Sequence, residues 1–229
     1  MERHFDQELA DLKKEMLEMG ALVEKAIGNA TGSLKELDCI QAQRVIDEDQ
    51  LIDEKECRID SICLDLLALH QPVALDLRFI TMAMKISTDL ERMADLSVDI
   101  AQRVLELADR KPLLKPLVDI PRLTLVAQEM TREVLDAFLS EDADLAKRII
   151  LRDHEADRLR DAVQDELIHD FIARDRGTIP RAVPLLLIAR HLERICDHAT
   201  NIGEDVIYMV KAKVVKHHPE KLGNSHDEA

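Results

Sequence analysis

One acidic phrase is written twice in this chain, as Leu90-Glu91-Arg92-Met93-Ala94-Asp95 and again as Leu192-Glu193-Arg194-Ile195-Cys196-Asp197. Upstream of each copy stands a second pair of carboxylates at four-residue spacing, Asp49/Asp53 and Asp153/Asp157. Repetition at a separation of about a hundred residues means a duplicated unit. The chain must therefore fold as two similar halves, each large enough to bury a core.

The periodicity inside each half is helical. From Phe5 to about Thr31 the residues Phe5, Leu9, Leu12, Met16, Met19, Val23, Ala26 and Ala30 alternate steps of four and three, the seam of a packed helix. Gly28 and Gly32 are expected to weaken its end, and Asp38 with Gln41 resembles a capping box opening the next helix. That second helix should run from about Cys39 to Leu69 on the seam Ala42, Val45, Asp49, Ile52, Glu56, Ile59, Cys63, Leu66, with two acids at core positions. Gln71-Pro72 forces a break, and Pro72 suits the first turn of a third helix reaching about Ala108. Its stripe is wide enough to face more than one neighbour, and Glu91 sits in it where a Leu would be expected.

Pro112, Pro116 and Pro121 punctuate a connector, after which the pattern begins again. Ile120, Leu123, Ala127, Met130, Val134 and Ala137 define a fourth helix. A fifth, about Asp142 to Ala173, matches Arg44 with Arg148, Asp49 with Asp153 and Asp53 with Asp157. A sixth opens at Pro180 after a turn at Gly177. The expected fold is all-α, two tandem similar three-helix bundles of six long helices, with repeats at 1–111 and 117–215 and a disordered tail at 216–229. His217, His218 and His226 in that tail read as an irregular terminus rather than a metal site.

Composition narrows the function. Glycine is scarce, at 6, which argues against phosphate-cradling loops and nucleophile elbows. A net charge of -15 repels nucleic acid and anionic lipid, leaving cations and basic protein surfaces as partners. Cys39, Cys57, Cys63 and Cys196 form no paired framework, no leader is visible, and no apolar run approaches a membrane span, so a cytoplasmic protein without direct membrane insertion is expected.

The seam acids carry the chemistry. Residues four apart on a helix are offset by about 40° and 6 Å, so Glu91, Asp95 and Asp99 form one rising row, as do Asp49 and Asp53. Antiparallel helices about 8–10 Å apart would bring these rows together. The second half offers Glu193, Asp197 and Asn201 opposite Asp153 and Asp157. Such carboxylates need a counter-charge. Oxygen-only clusters suit Fe, Mn or Mg, with Zn as an alternative, and favour more than one ion. Arg92, Arg194, Arg44 and Arg148 recur in both halves and offer the competing solution, salt-bridged grooves without metal. Only Glu166-x-x-His169 fits the Glu-x-x-His unit that a ferritin-type enzyme requires twice. No nucleophile triad is recognisable, so no residue is assigned a catalytic or organic-cofactor role.

Gln71-Pro72-Val73-Ala74-Leu75-Asp76-Leu77-Arg78 followed by Asp89-Leu90-Glu91-Arg92-Met93-Ala94-Asp95 resembles the signature of the PhoU family, regulators that accompany the bacterial high-affinity phosphate transporter. Thr178-Ile179-Pro180 and Leu192-Glu193-Arg194-Ile195-Cys196-Asp197-His198 with Asn201-Ile202 resemble its second repeat, and the match extends over about residues 1–213. The resemblance implies two three-helix bundles, a homodimer, and multinuclear metal sites, iron foremost, on Asp49, Asp53, Glu91, Asp95 and Asp99 in one half and Asp153, Asp157, Glu193, Asp197 and Asn201 in the other. The residue before the second acid, often Gly in relatives, is Ala94 in one copy and Cys196 in the other. The implied function is non-enzymatic negative regulation of phosphate uptake and of the phosphate-starvation response. It is exerted as an adaptor between the phosphate ABC transporter's ATPase subunit and a sensor histidine kinase, at the membrane through protein partners. The alternative is a metal-binding helical-bundle protein with a storage or enzymatic role.

Overall fold

The computed structural model describes residues 2–110, 112–114 and 118–214, and among them there is no strand. Helices α1 (Glu2–Leu34), α2 (Cys39–Glu48), α3 (Gln50–His70) and α4 (Ala74–Ala108) form the first half. The second half is α5 (Asp119–Leu139), α6 (Ala143–Asp165) continued by a π-helical stretch (Glu166–Ile172), a 3-10 turn (Arg176–Thr178) and α7 (Ile179–Lys211). The tail histidines His217, His218 and His226 lie outside the described residues.

The seams are buried where the periodicity puts them. Ala42, Val45, Ile52, Ile59, Cys63 and Leu66 are core residues of α2 and α3, and Leu12, Met16, Met19 and Val23 are fully buried in α1. Both halves open their middle helix with the same device. Asp38 accepts hydrogen bonds from the backbone N–H groups of Ile40 and Gln41 at 3.0 Å, and Asp142 accepts from Asp144 and Leu145 at 2.9 Å. The box expected at Gln41 does not close, because its side chain donates instead to Asn29 Oδ1 on α1 at 3.4 Å.

Three expectations are corrected. The predicted second helix is interrupted at Asp49, whose carbonyl accepts from both Ile52 N (2.8 Å) and Asp53 N (3.2 Å), so its ladder tightens there and α2 and α3 are separate segments. The third helix begins at Ala74 rather than Pro72: Gln71, barred from the right-handed helical region by the proline after it, turns left-handed (φ 49), and Val73 is extended. Finally, α1 runs through Gly28 and Gly32 to Leu34. Gly28 does not weaken it because tertiary packing needs the space: a Cβ there would lie 2.6 Å from Gln128 Nε2 on α5.

The halves share one continuous apolar core. Phe79 of α4 stacks on Phe138 of α5 with centroids 4.6 Å apart, and Lys13 Nζ of α1 lies 4.8 Å from the Phe79 ring. Helices α4 and α7 pack antiparallel along their length, and polar pairs line the joint. Arg78 Nε donates to Met209 O at 2.7 Å, Lys85 pairs with Asp205, and His198 Nδ1 meets Asp89 Oδ1 at 2.8 Å. At the far end Pro184, inside α7, lacks the N–H that would bond Pro180 O. Arg110 Nη1, just past the end of α4, donates to that carbonyl at 2.8 Å, and Arg181 Nη1 returns a bond to Pro112 O at 3.0 Å.

Candidate functional site

The acids of the first half gather in a groove between α3 and α4. Asp49 occupies the interruption ahead of α3 and lines a cavity of about 20 Å³ with Lys25 and Asn29 of α1 and Ala94 of α4, space for one water. Ala94 is buried in this wall, so its Cβ is accommodated. Asp53 is exposed, and Glu91, whose side chain is 17 % exposed, stands beside Asp95 on α4. Glu56 Oε1 accepts from Thr88 Oγ1 at 2.9 Å.

These acids stand close enough for each to act on its neighbours' charge. Burial first, then the charges of Asp53 and Asp95, push the Asp49 carboxyl up to about 6. Glu91 is pushed up to about 7, by burial first and then by Asp95, Glu56 and Asp53, with Arg92 working against them. Arg92 lies 3.5 Å from Glu91 Oε2 and 3.0 Å from Asp95 Oδ2. Asp99 is placed differently. It lies 3.8 Å from His191 Nδ1 on α7, on the side of α4 that meets the second half.

In the second half Asp153 and Asp157 on α6 face Glu193 and Asp197 on α7. Burial raises the Asp153 carboxyl, with Asp157 adding to it and His154 opposing. Asp197 is pushed up to about 6 by burial, then by Glu193, Asp153 and Asp157. Glu193 is also raised by burial, but Arg160 and Arg190 hold it back. Asn201 stands half-buried one turn further along α7. Cys196 is fully buried, and burial among these acids raises its thiol further, so it offers no thiolate. A cavity of about 630 Å³ opens beside this cluster, lined by Arg160, Arg190, Arg194, Glu193 and Asp197 with Leu186.

Sequence reasoning missed Arg160. Its guanidinium lies 3.2 Å from Asp157 Oδ1, 3.2 Å from Asp161 Oδ1 and 3.7 Å from Glu193 Oε1. Extending the α6 seam from Asp153 by seven residues reaches it, at the place Glu56 holds in the first half. The arginines expected as counter-charges act elsewhere in part, since Arg44 Nε pairs with Glu48 at 2.5 Å.

Among the described residues no three His, Cys, Asp or Glu side chains stand as ligands around one point. The donor set of the first groove nonetheless has the chemistry for a hard or intermediate cation. It is oxygen-only and mutually repelling, partly buried at Asp49 and Glu91 and open to solvent at Asp53, with an exposed arginine on its rim. There Glu91, Asp95, Asp49 and Asp53 are the residues that would hold an ion, and its charge would quench their repulsion.

Comparison with known proteins agrees with the duplication. The PhoU domain model matches twice, at residues 16–104 and 120–206. A Pseudomonas aeruginosa protein named phosphate-specific transport system accessory protein PhoU homolog is 37% identical over 215 residues, 94% of this chain and 88% of that one. The Aquifex aeolicus protein of the same name is 39% identical over 92% of this chain and 95% of its own. The crystal structure of PhoU from Pseudomonas aeruginosa superposes with a TM-score of 0.86 at 37% identity, over 91% of this chain and 100% of that one. That of the phosphate transport system regulatory protein PhoU from Streptococcus pneumoniae gives 0.85 at 32% identity, over 93% and 99%. Two bundles, each matched by the same domain, therefore make this chain a member of the PhoU family.

Proposed function

We propose that the chain is an accessory protein of phosphate transport that restrains phosphate uptake and the phosphate-starvation response when phosphate is plentiful. The observation that carries this reading is its likeness, over nearly the whole length and through both repeats, to relatives named for that transport system. It works without chemistry of its own, as an adaptor between the ATPase subunit of the phosphate ABC transporter and a sensor histidine kinase, and as a homodimer. Among the described residues no helix is long and apolar enough to cross a membrane, which accords with attachment through protein partners.

The surface supports docking. Leu64 and Leu77 in the first half and Ile168 and Ile179 in the second stand at matching positions and are exposed in both copies, and Leu69 and Val73 beside the α3–α4 turn are exposed as well. In this reading the half-buried acids of α3 and α4 bind divalent cations, iron foremost, which fix the groove. Deleting the gene should derepress alkaline phosphatase and phosphate uptake in phosphate-rich medium, with restoration by the intact chain. Unchanged expression would overturn the proposal.

A further inference from the structure

The two grooves descend from one repeated unit, yet their linings have diverged at the positions that decide charge. Along the middle helix the register Ala42, Val45, Asp49, Ile52, Glu56, Ile59 of the first half becomes Ala146, Ile149, Asp153, Ala156, Arg160, Val163 in the second. On the inner helix Thr88 becomes Arg190, while Glu91, Arg92 and Asp95 become Glu193, Arg194 and Asp197. The arginine common to both, Arg92 or Arg194, is exposed. Arg160 is not a rim residue: it occupies the seam, only 31% of its side chain is exposed, and its Nε is buried without a hydrogen-bond partner among the described residues.

We infer that the second groove does not fit the metal that the family resemblance implies, because Arg160 stands where the ion would and serves as a built-in counter-cation, so that only the first groove takes a divalent ion from solution. A guanidinium keeps its charge at any working pH. It spans Asp157 on α6 and Glu193 on α7, the two helices whose carboxylates an ion would bridge, and it holds Asp161 as well. A divalent ion entering there would have to displace a cation already paired with its ligands and then sit beside it. In the first groove the same seam position is Glu56, a further carboxylate, and Thr88 bonds to it. Duplication has thus produced one site open to exchange with solution and one closed by a tethered charge.

This rests on the cation reading of the first groove proposed above, and the two can fail separately. The test is titration of the full-length chain with Mn²⁺ alone, free ion being read by electron paramagnetic resonance, with urea midpoints recorded for every variant to confirm folding. Wild type should show saturable binding that Glu91→Gln weakens at least tenfold and Glu193→Gln leaves unchanged. Arg160→Glu, which restores the acid of the first half, should add a second binding population that Glu193→Gln then removes. Arg160→Gln should add a weaker one and serves if the charge reversal unfolds the chain. Loss of wild-type binding on Glu193→Gln places the ion in the second groove and overturns both the inference and the first-groove reading, whereas no added population with either Arg160 variant overturns the inference and leaves the first-groove reading standing. Absence of binding in wild type together with a gained site in Arg160→Glu supports the role of Arg160 and rejects the first-groove cation.

Discussion

Glu91 makes the sharpest prediction about stability, because its carboxyl titrates at about 7 in the folded chain against 4.5 for an ordinary glutamate. Below pH 4.5 it is protonated whether the chain is folded or not and contributes nothing. Between 4.5 and about 7 the unfolded chain loses the proton first, the folded chain binds more protons, and the free energy of unfolding falls as pH rises. Above about 7 the whole penalty is in place. At about 1.4 kcal/mol per pH unit the full interval would amount to roughly 3 kcal/mol. Solvent screening of this partly exposed carboxyl reduces the figure to about 1–2 kcal/mol. Glu91→Gln keeps the shape and removes the charge. In urea unfolding with chelator present, the variant should be more stable than wild type by about 1–2 kcal/mol at pH 8, and the gap should close towards pH 4.5. Adding Mn²⁺ at pH 8 should raise wild type alone. A variant less stable than wild type at pH 8, or a difference that does not change with pH, would refute the reasoning.

Other outcomes follow from the packing. Phe138→Ala removes a fully buried ring stacked on Phe79 and should cost about 3–5 kcal/mol, with both halves lost in a single urea transition; two separated transitions would contradict a shared core. Asp38→Ala and Asp142→Ala each remove a cap that bonds two backbone N–H groups and should cost about 1 kcal/mol apiece, while the Asn variants should remain near wild type in thermal melts. Thiol titration of the native chain should label Cys39 and Cys57, which are exposed. Cys63, whose thiol burial pushes up to about 12, and Cys196 should react only on unfolding, and rapid native labelling of either would contradict the packing.

Much of the architecture was legible because helical seams record which residues share a face. The run from Ala42 to Leu66 is buried at every apolar position read from it, with Asp49 and Glu56 left half-exposed between them. A seam does not record how far each helix is rotated against its neighbours. For that reason Asp99, one turn beyond Asp95 on the same row, meets His191 of the other half. Gly28 shows the same limit from the other side: local propensity predicts a weak helix, whereas the approach of Gln128 on α5 gives the glycine its use. Arg160 was readable in principle by carrying the first-half register across the duplication, but attention to the shared acids passes over a position where the copies differ.

The carbonyl of Pro180, left over when Pro184 entered α7, belongs to the second half, and the arginine that takes it belongs to the first. The opening turn of the last helix therefore completes its backbone pairing only where it lies against the end of α4. The proline weakens that turn locally, and the molecule restores it from a distance.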